Sequence, residues 1–169
     1  MIISNDASTV VPKRWAAAYS NPKIIAVRTL SGFRATLGDP SGPTFIFGTE
    51  ALNSELGDSI LDCLGHSRFI REEKELQTLH SGREAAYSQF VEKLLLAGSY
   101  KTRRALFNMM VHCNIEKLDD KITIRPTFHR ALEAWSGETF TAADSVVVSS
   151  DCSPTALGEA LREAFRRCK

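Results

Sequence analysis

No pair of the four cysteines in this chain stands at Cys-x-x-Cys spacing. Cys63, Cys113, Cys152 and Cys168 sit in apolar contexts, so buried free thiols in a reducing compartment are expected. There is no His-x-x-x-His pair, and no paired carboxylates stand at ligand spacing with a histidine, which removes the common metal patterns. A Gly-x-Gly-x-x-Gly or Walker-type loop is also missing, and the segment Gly38 to Gly42 is broken by prolines. The clean apolar runs, such as Leu94-Leu95-Leu96-Ala97, are far too short to span a bilayer. Met1 to Asp6 has neither a basic n-region nor a long apolar h-region, so no secretory signal is expected. A formal net charge of +1 gives no support for wholesale nucleic-acid binding. The expectations are therefore no cofactor, no metal, no direct nucleic-acid contact, no membrane and a cytoplasmic location.

What remains is an ordinary globular composition, 43% hydrophobic and 24% charged. A chain of 169 residues makes one domain, or two small halves packed as one. At that size roughly 70% of the unfolded surface is hidden on folding, so neither a metal nor a disulfide is needed. Charge is uneven along the chain: residues 1–37 carry +4, residues 38–92 carry −6 and residues 93–169 carry +3. The acidic middle gathers Asp58, Asp62, Glu72, Glu73 and Glu75. Such a cluster is either a solvated helix face or the docking surface for a cationic partner.

Periodicity outlines an α+β fold, mainly an antiparallel sheet with flanking helices. Ile24 to Leu30 and the alternating Phe33 to Leu37, turned by Ser31-Gly32, read as a hairpin. Gly38 to Pro43 is a loop and Thr44 to Phe47 a buried strand. Thr49 can cap a helix with Leu52, Leu56, Ile60, Cys63 and Leu64 at helical spacing. A second helix runs from Ser81 to Gly98, and Thr102 caps a short third one ending near Met110. Val111 to Lys117 and Lys121 to Arg125 form another hairpin, its inner face drawn from Cys113, Ile115, Ile122 and Ile124. Val146 to Val148 is a strand, and Ser153-Pro154 is an N-cap with proline at N1 of a helix burying Leu157, Leu161, Ala164, Phe165 and Cys168.

The two ends of this pattern match at a constant offset. Thr44 to Phe47, then Leu56-Gly57-Asp58, corresponds to Ser145 to Val148, then Leu157-Gly158-Glu159. Glycine inside a helix costs about 1 kcal/mol against alanine, so Gly57 and Gly158 point to close backbone approach. The pattern reads as an internal duplication of a hairpin–strand–helix unit. The pseudo-repeats cover about 24–66 and 111–168, and central helices 81–110 join them. A chance match of two amphipathic helices is the alternative. The second half alone carries the polar stretch Pro126 to Gly137 between hairpin and last strand, an insertion of the kind that adds function to a scaffold.

That stretch and its upstream neighbours hold His112, His129, Lys101, Arg104 and Trp135. Two histidines on neighbouring strands beside cations could serve a metal-independent ribonuclease or hydrolase, one as base and one as acid. No spacing is diagnostic of that chemistry, and the residues make no convincing catalytic set. Trp135 reads as a packing anchor before a base-stacking platform.

The motifs match a known family better than they match an enzyme. Leu56-Gly57 through Ser67-Arg68-Phe69-Ile70, Tyr100 to Phe107, Ile122 to Thr127 with His129, Leu132 and Trp135-Ser136-Gly137, and Ser153-Pro154 with Leu157-Gly158 and Cys168 resemble the bacterial contact-dependent growth inhibition immunity proteins. The match runs in order from about residue 45 to the C-terminus. It departs at Ser99 and Ala134, where the family pattern has glycine. The resemblance implies a cytosolic, non-catalytic antidote. Its partner would be the C-terminal toxin domain, in many such systems a nuclease, of a cognate contact-delivered effector. On that reading Asp58, Asp62, Glu72, Glu73 and Glu75 would mimic a phosphate backbone. Arg104, His129 and Trp135 are the candidate anchors for tight binding.

Overall fold

The structure, a computed structural model, describes residues 11–169. Its centre is an antiparallel sheet. Strand β1 (Arg14–Ser20) turns through Asn21, whose side-chain carbonyl accepts from the Lys23 and Ile24 N–H groups, into β2 (Ile24–Gly32). Two strands share the outer edge of β2. Short β3 (Thr36–Gly38) pairs with its end and β4 (Thr44–Gly48) with its start. On the other side of β1 lie β5 (Val111–Leu118), β6 (Lys121–Pro126) and β9 (Val146–Ser149), again antiparallel. The order is thus β4-β2-β1-β5-β6-β9, with β3 beside β4 on the same edge. A separate ribbon pairs β7 (Phe128–Ala131) with β8 (Ala134–Ser136).

Helix α1 (Asn53–His66) follows β4, and α5 (Pro154–Arg167) follows β9. Both lie on one face of the sheet. There Ala16, Ala18, Ile25, Val27, Cys113, Ile115, Ile122 and Ile124 meet Leu56, Ile60, Cys63, Leu64, Leu157 and Leu161 in one buried cluster. The alternate strand residues Ala17, Tyr19, Ile24 and Ala26 face the other way. They pack against Phe90, Val91 and Leu94 of α3 (Arg83–Gly98), Leu106 and Phe107 of α4 (Arg103–Phe107), and Met110. Helix α2 (Glu73–Ser81) precedes α3.

The two glycines sit where α1 and α5 touch. A Cβ on Gly57 would fall 1.8 Å from the Pro154 carbonyl oxygen, and one on Gly158 would fall 1.9 Å from that of Asn53. The contact is reciprocal, each helix offering its glycine to the first turn of the other. Arg162 reinforces it, donating to Asn53 Oδ1 at 2.8 Å and to the Ala51 carbonyl.

Several boundaries differ from the sequence expectation. The partner of β2 in the first hairpin is β1, an alanine-rich strand that propensity does not single out; of the expected return strand Phe33 to Leu37 only Thr36 and Leu37 pair, joined by Gly38 from the expected loop. Strand β4 is half-buried, because it lies on the edge. Helix α1 begins after Leu52, whose N–H donates to the Glu55 carboxylate at 2.9 Å; Thr49 stays in the preceding turn. Thr102 and Ser153 cap α4 and α5 as expected, accepting from the Ala105 and Ala156 N–H groups. Cys63 and Cys113 are buried, whereas Cys152 and Cys168 are half-buried, and all four are free thiols. Phe165 is likewise only half-buried.

Ser99, the first of the two departures from the family pattern, ends α3 in the left-handed region at φ 54°. Glycine carries no Cβ penalty there. Urea unfolding should therefore show Ser99→Gly gaining about 1 kcal/mol. Gly57→Ala and Gly158→Ala should each lose about 3 kcal/mol, since the new methyl meets backbone that cannot swing aside. Gly65→Ala, with open space around it, should gain about 0.5 kcal/mol. Equal effects at all three glycines would show that the helix contact is not tight.

Candidate functional site

The sheet face opposite α1 and α5 is covered unevenly. Helix α3 leans over β2 and β3, while α4 and the β7–β8 ribbon close the end near Tyr19 and Met110. Between them a cleft of about 400 Å³ opens, lined among others by Tyr19, Arg28, Tyr87, His112 and Asn114.

The inserted ribbon forms one wall and is tied down at two points. In its turn, Glu133 accepts from the Tyr87 hydroxyl of α3 at 2.7 Å and from Arg103 of α4 at 3.1 Å. Its second strand sends Trp135 inward, where the indole N–H donates to the Met110 carbonyl at 3.1 Å. The Trp135 ring meets Tyr19 at 5.7 Å, Phe107 at 6.0 Å, His112 at 5.4 Å and His129 at 5.0 Å between centroids. This is a packed aromatic cluster that anchors the ribbon.

Neither histidine is set up for proton transfer. His112 lies in β5 and His129 in β7, which belong to separate sheets, so the expected neighbouring strands are not paired. Each ring packs against Trp135. His112 is half-buried beside Tyr19, and desolvation pulls its pKa down to about 4. His129 faces the Leu132 carbonyl with Nε2, at 2.9 Å. Among the described residues, no three His, Cys, Asp or Glu side chains are grouped to hold a metal.

The candidate docking residues fall into three places. Arg104 and His129 share a shallow depression with Asn108 and Leu132, and half-buried Trp135 lies behind the His129 ring. Asp58 and Asp62 are exposed on α1, Asp62 lying 3.2 Å from His66. Glu72, Glu73 and Glu75 are exposed at the start of α2, with Glu75 close enough to Arg68 to raise its pKa. Asp39 behaves differently from these acids. It is buried, binds Ser31, Ser41 and Arg68, and is held well below the usual carboxylate range by those hydrogen bonds despite desolvation. Its work is to pin the Gly/Pro loop.

Sequence reasoning passed over Arg28, Tyr87 and Glu133. Arg28 did leave a trace: it is the lone charge in Ile24 to Leu30, at the same parity as Ile24 and Ala26, which both point toward α3.

Comparison with known proteins turns this geometry into a family assignment. Residues 14–168 match the family model described as CDI immunity protein. This chain belongs to the contact-dependent growth inhibition immunity protein family. Immunity protein CdiI-YPIII of Yersinia pseudotuberculosis serotype O:3 (strain YPIII) is 36% identical, over 95% of this chain and 98% of that protein. Among solved structures, a chain of the CdiA-CT/CdiI toxin and immunity complex from Yersinia pseudotuberculosis superposes with a TM-score of 0.83. It shares 34% identity over 94% of this chain and 99% of that one. A protein of unknown function from Neisseria meningitidis, NMB0488, superposes at 0.84 with 33% identity over 94% and 96%. In this immunity-family member, among the described residues, no helix is long and apolar enough to cross a membrane.

The desolvated His112 sets a pH dependence. An unfolded histidine takes up its proton near pH 6.5, whereas folded His112 does so only near 4, so the unfolded state holds more protons in between. Stability is therefore undiminished above about pH 6.5 and falls as pH drops through the window, by about 3 kcal/mol in all. His112→Phe, which keeps an aromatic ring beside Tyr19 and Trp135, should flatten that loss in urea titrations at about pH 7 and about pH 4.5. Asp39 titrates below the window and is common to both proteins. Identical slopes for wild type and variant would remove His112 as the cause.

Proposed function

We propose that this protein binds and neutralises the C-terminal toxin domain of a cognate contact-dependent growth inhibition effector, acting in the cytoplasm and catalysing no reaction of its own. The observation that carries the reading is the match along nearly its whole length to a chain from a solved toxin–immunity complex. The placement of the two histidines on separate sheets, each packed on Trp135 and opening to a different depression, supports an inhibitor over a hydrolase, because they do not converge on one substrate position. An antidote of this kind must bind at nanomolar strength or better, about 12 kcal/mol, because one escaped catalytic molecule can kill.

The toxin is a nuclease on this proposal, and the exposed acids of α1 and α2 attract its cationic substrate groove. Opposite charges across an interface act mainly on the rate of encounter. The chain is also proposed to be one domain of two related halves, β1–β2–β4–α1 and β5–β6–β9–α5. In support, the two strand–helix units occupy the two ends of the sheet and meet through matched glycines. These first-half bounds, starting at Arg14, replace the start near residue 24 that the sequence pattern suggested.

Three experiments check these statements. The reading frame immediately upstream is expected to encode the cognate effector; co-expression with its toxin domain should restore growth, and the two proteins should elute as one complex. His129→Gln should lower protection only as far as it lowers toxin affinity; a folded variant that binds the toxin as wild type does yet no longer protects would revive the enzymatic reading. Changing Glu72, Glu73 and Glu75 together to lysine should slow association about tenfold or more at low salt, leave dissociation nearly unchanged and leave the melting temperature within a few degrees. An unchanged association rate would exclude α2 as the attracting surface.

A further inference from the structure

Among the described residues, three charged side chains line the cleft, Arg28, Arg83 and Glu84, and of these Arg28 alone is buried, while Arg83 and Glu84 stand exposed at its rim. Only 8% of the Arg28 surface is exposed. Its guanidinium lies over the Phe90 ring, 4.2 Å from the centroid, and close enough to the Tyr19 phenol to lower that group's pKa against the effect of burial. Neither partner carries a negative charge, and among the described residues no carboxylate pairs with it. The contrast with Arg68 is direct: that arginine is far more exposed, yet it holds Asp39 through two hydrogen bonds. Burying a cation without a counter-charge is costly, and proteins retain such an arrangement where something else supplies the charge.

The surroundings of Arg28 are shaped to keep the guanidinium in place and reachable. A Cβ on Gly38 would fall 1.7 Å from Nη2, so the absence of a side chain there is what seats the guanidinium against β3. The same group lines the open cleft with Tyr87 and Asn114. A planar fork fixed in this way favours a carboxylate, whose two oxygens match it.

We propose that Arg28 receives one Asp or Glu side chain of the toxin domain, inserted into the cleft between α3 and the sheet. The inference rests on the toxin-binding reading above and names the chemistry of its central contact. The acids on α1 and α2 set how fast the toxin arrives; Arg28 sets how long it stays.

Calorimetric titration with the cognate toxin domain tests this, using wild type, Arg28→Met, Arg28→Lys and Gly38→Ala. Arg28→Met should weaken binding about a hundredfold or more. The free Arg28→Met protein should melt at or above the wild-type temperature, since an uncompensated buried charge has gone. A merely structural arginine would give the reverse, a lower melting temperature with binding unchanged, and that result overturns the proposal. Gly38→Ala displaces the guanidinium without removing it and should also weaken binding; if Arg28→Met does not fold, Arg28→Lys and Gly38→Ala carry the comparison. Each toxin Asp and Glu is then changed singly to Asn or Gln. One of these should weaken wild-type binding as strongly as Arg28→Met does, yet add nothing on the Arg28→Met background. If no side-chain carboxylate couples in this way, the occupant is not an acidic side chain and the proposal is wrong. Absence of any wild-type binding is a separate result, which removes the functional reading itself.

Discussion

The structure depends on one contact, the crossing of α1 and α5 where Gly57 and Gly158 bring each helix against the other's first turn. Two helices packed side by side on one sheet face bring their backbones into contact only where small residues face each other. With glycine at the crossing they do, and the inner face of every central strand is then buried under them. Arg162 ties the same crossing to the start of α1 by binding Asn53 and the Ala51 carbonyl. Because the inner surface of this pair is fully used on one sheet face, the cleft into the sheet opens on the other.

On that other face the burial is partial, and the inserted ribbon is what closes it. Glu133 and Trp135 act like two pegs, one polar and one aromatic, joining β7 and β8 to α3, α4 and Met110. The indole is consumed in this role: it covers His112, supports His129 and fills the space beside Tyr19 and Phe107. The histidines that suggest acid–base chemistry in the sequence are thus structural partners of the tryptophan that stands near them. Desolvation keeps His112 neutral, which suits a packed wall and ill suits a proton shuttle at neutral pH.

Local signals made much of the fold legible. The β5–β6 hairpin, the caps at Thr102 and Ser153, and the paired glycines each announce themselves within a few residues. Strand β1 did not, because Ala16, Ala17 and Ala18 have little strand preference of their own. They are a strand only because helices and side chains press on both faces and leave room for nothing larger than a methyl. The first hairpin was misplaced for the same reason, since its true partner carries no pattern. Composition could locate the acids and the aromatic stretch, but it could not tell which groups remain available. Trp135 is largely spent on packing, Asp39 is bound by its neighbours, and Arg28 is left without a counter-charge. Availability is a property of the assembled face.

The charges are arranged by depth as well as by sign. Carboxylates stand on the outer surfaces of α1 and α2, where water screens them within about 10 Å at ordinary salt. The buried guanidinium is shielded far less. Surface charge of this kind can hasten encounter with a basic partner but adds little to the strength of the final complex. A desolvated, preoriented cation has the opposite character: it contributes nothing at a distance and a great deal once a matching group enters. A protein that must be lethal-tight for one partner and indifferent to others gains from separating the two tasks. General attraction draws any cationic domain near, and only a domain carrying an acid at the right depth satisfies Arg28. Discrimination then lies in the penalty paid by a partner that lacks the acid, because docking it would seal the unpaired charge from water altogether.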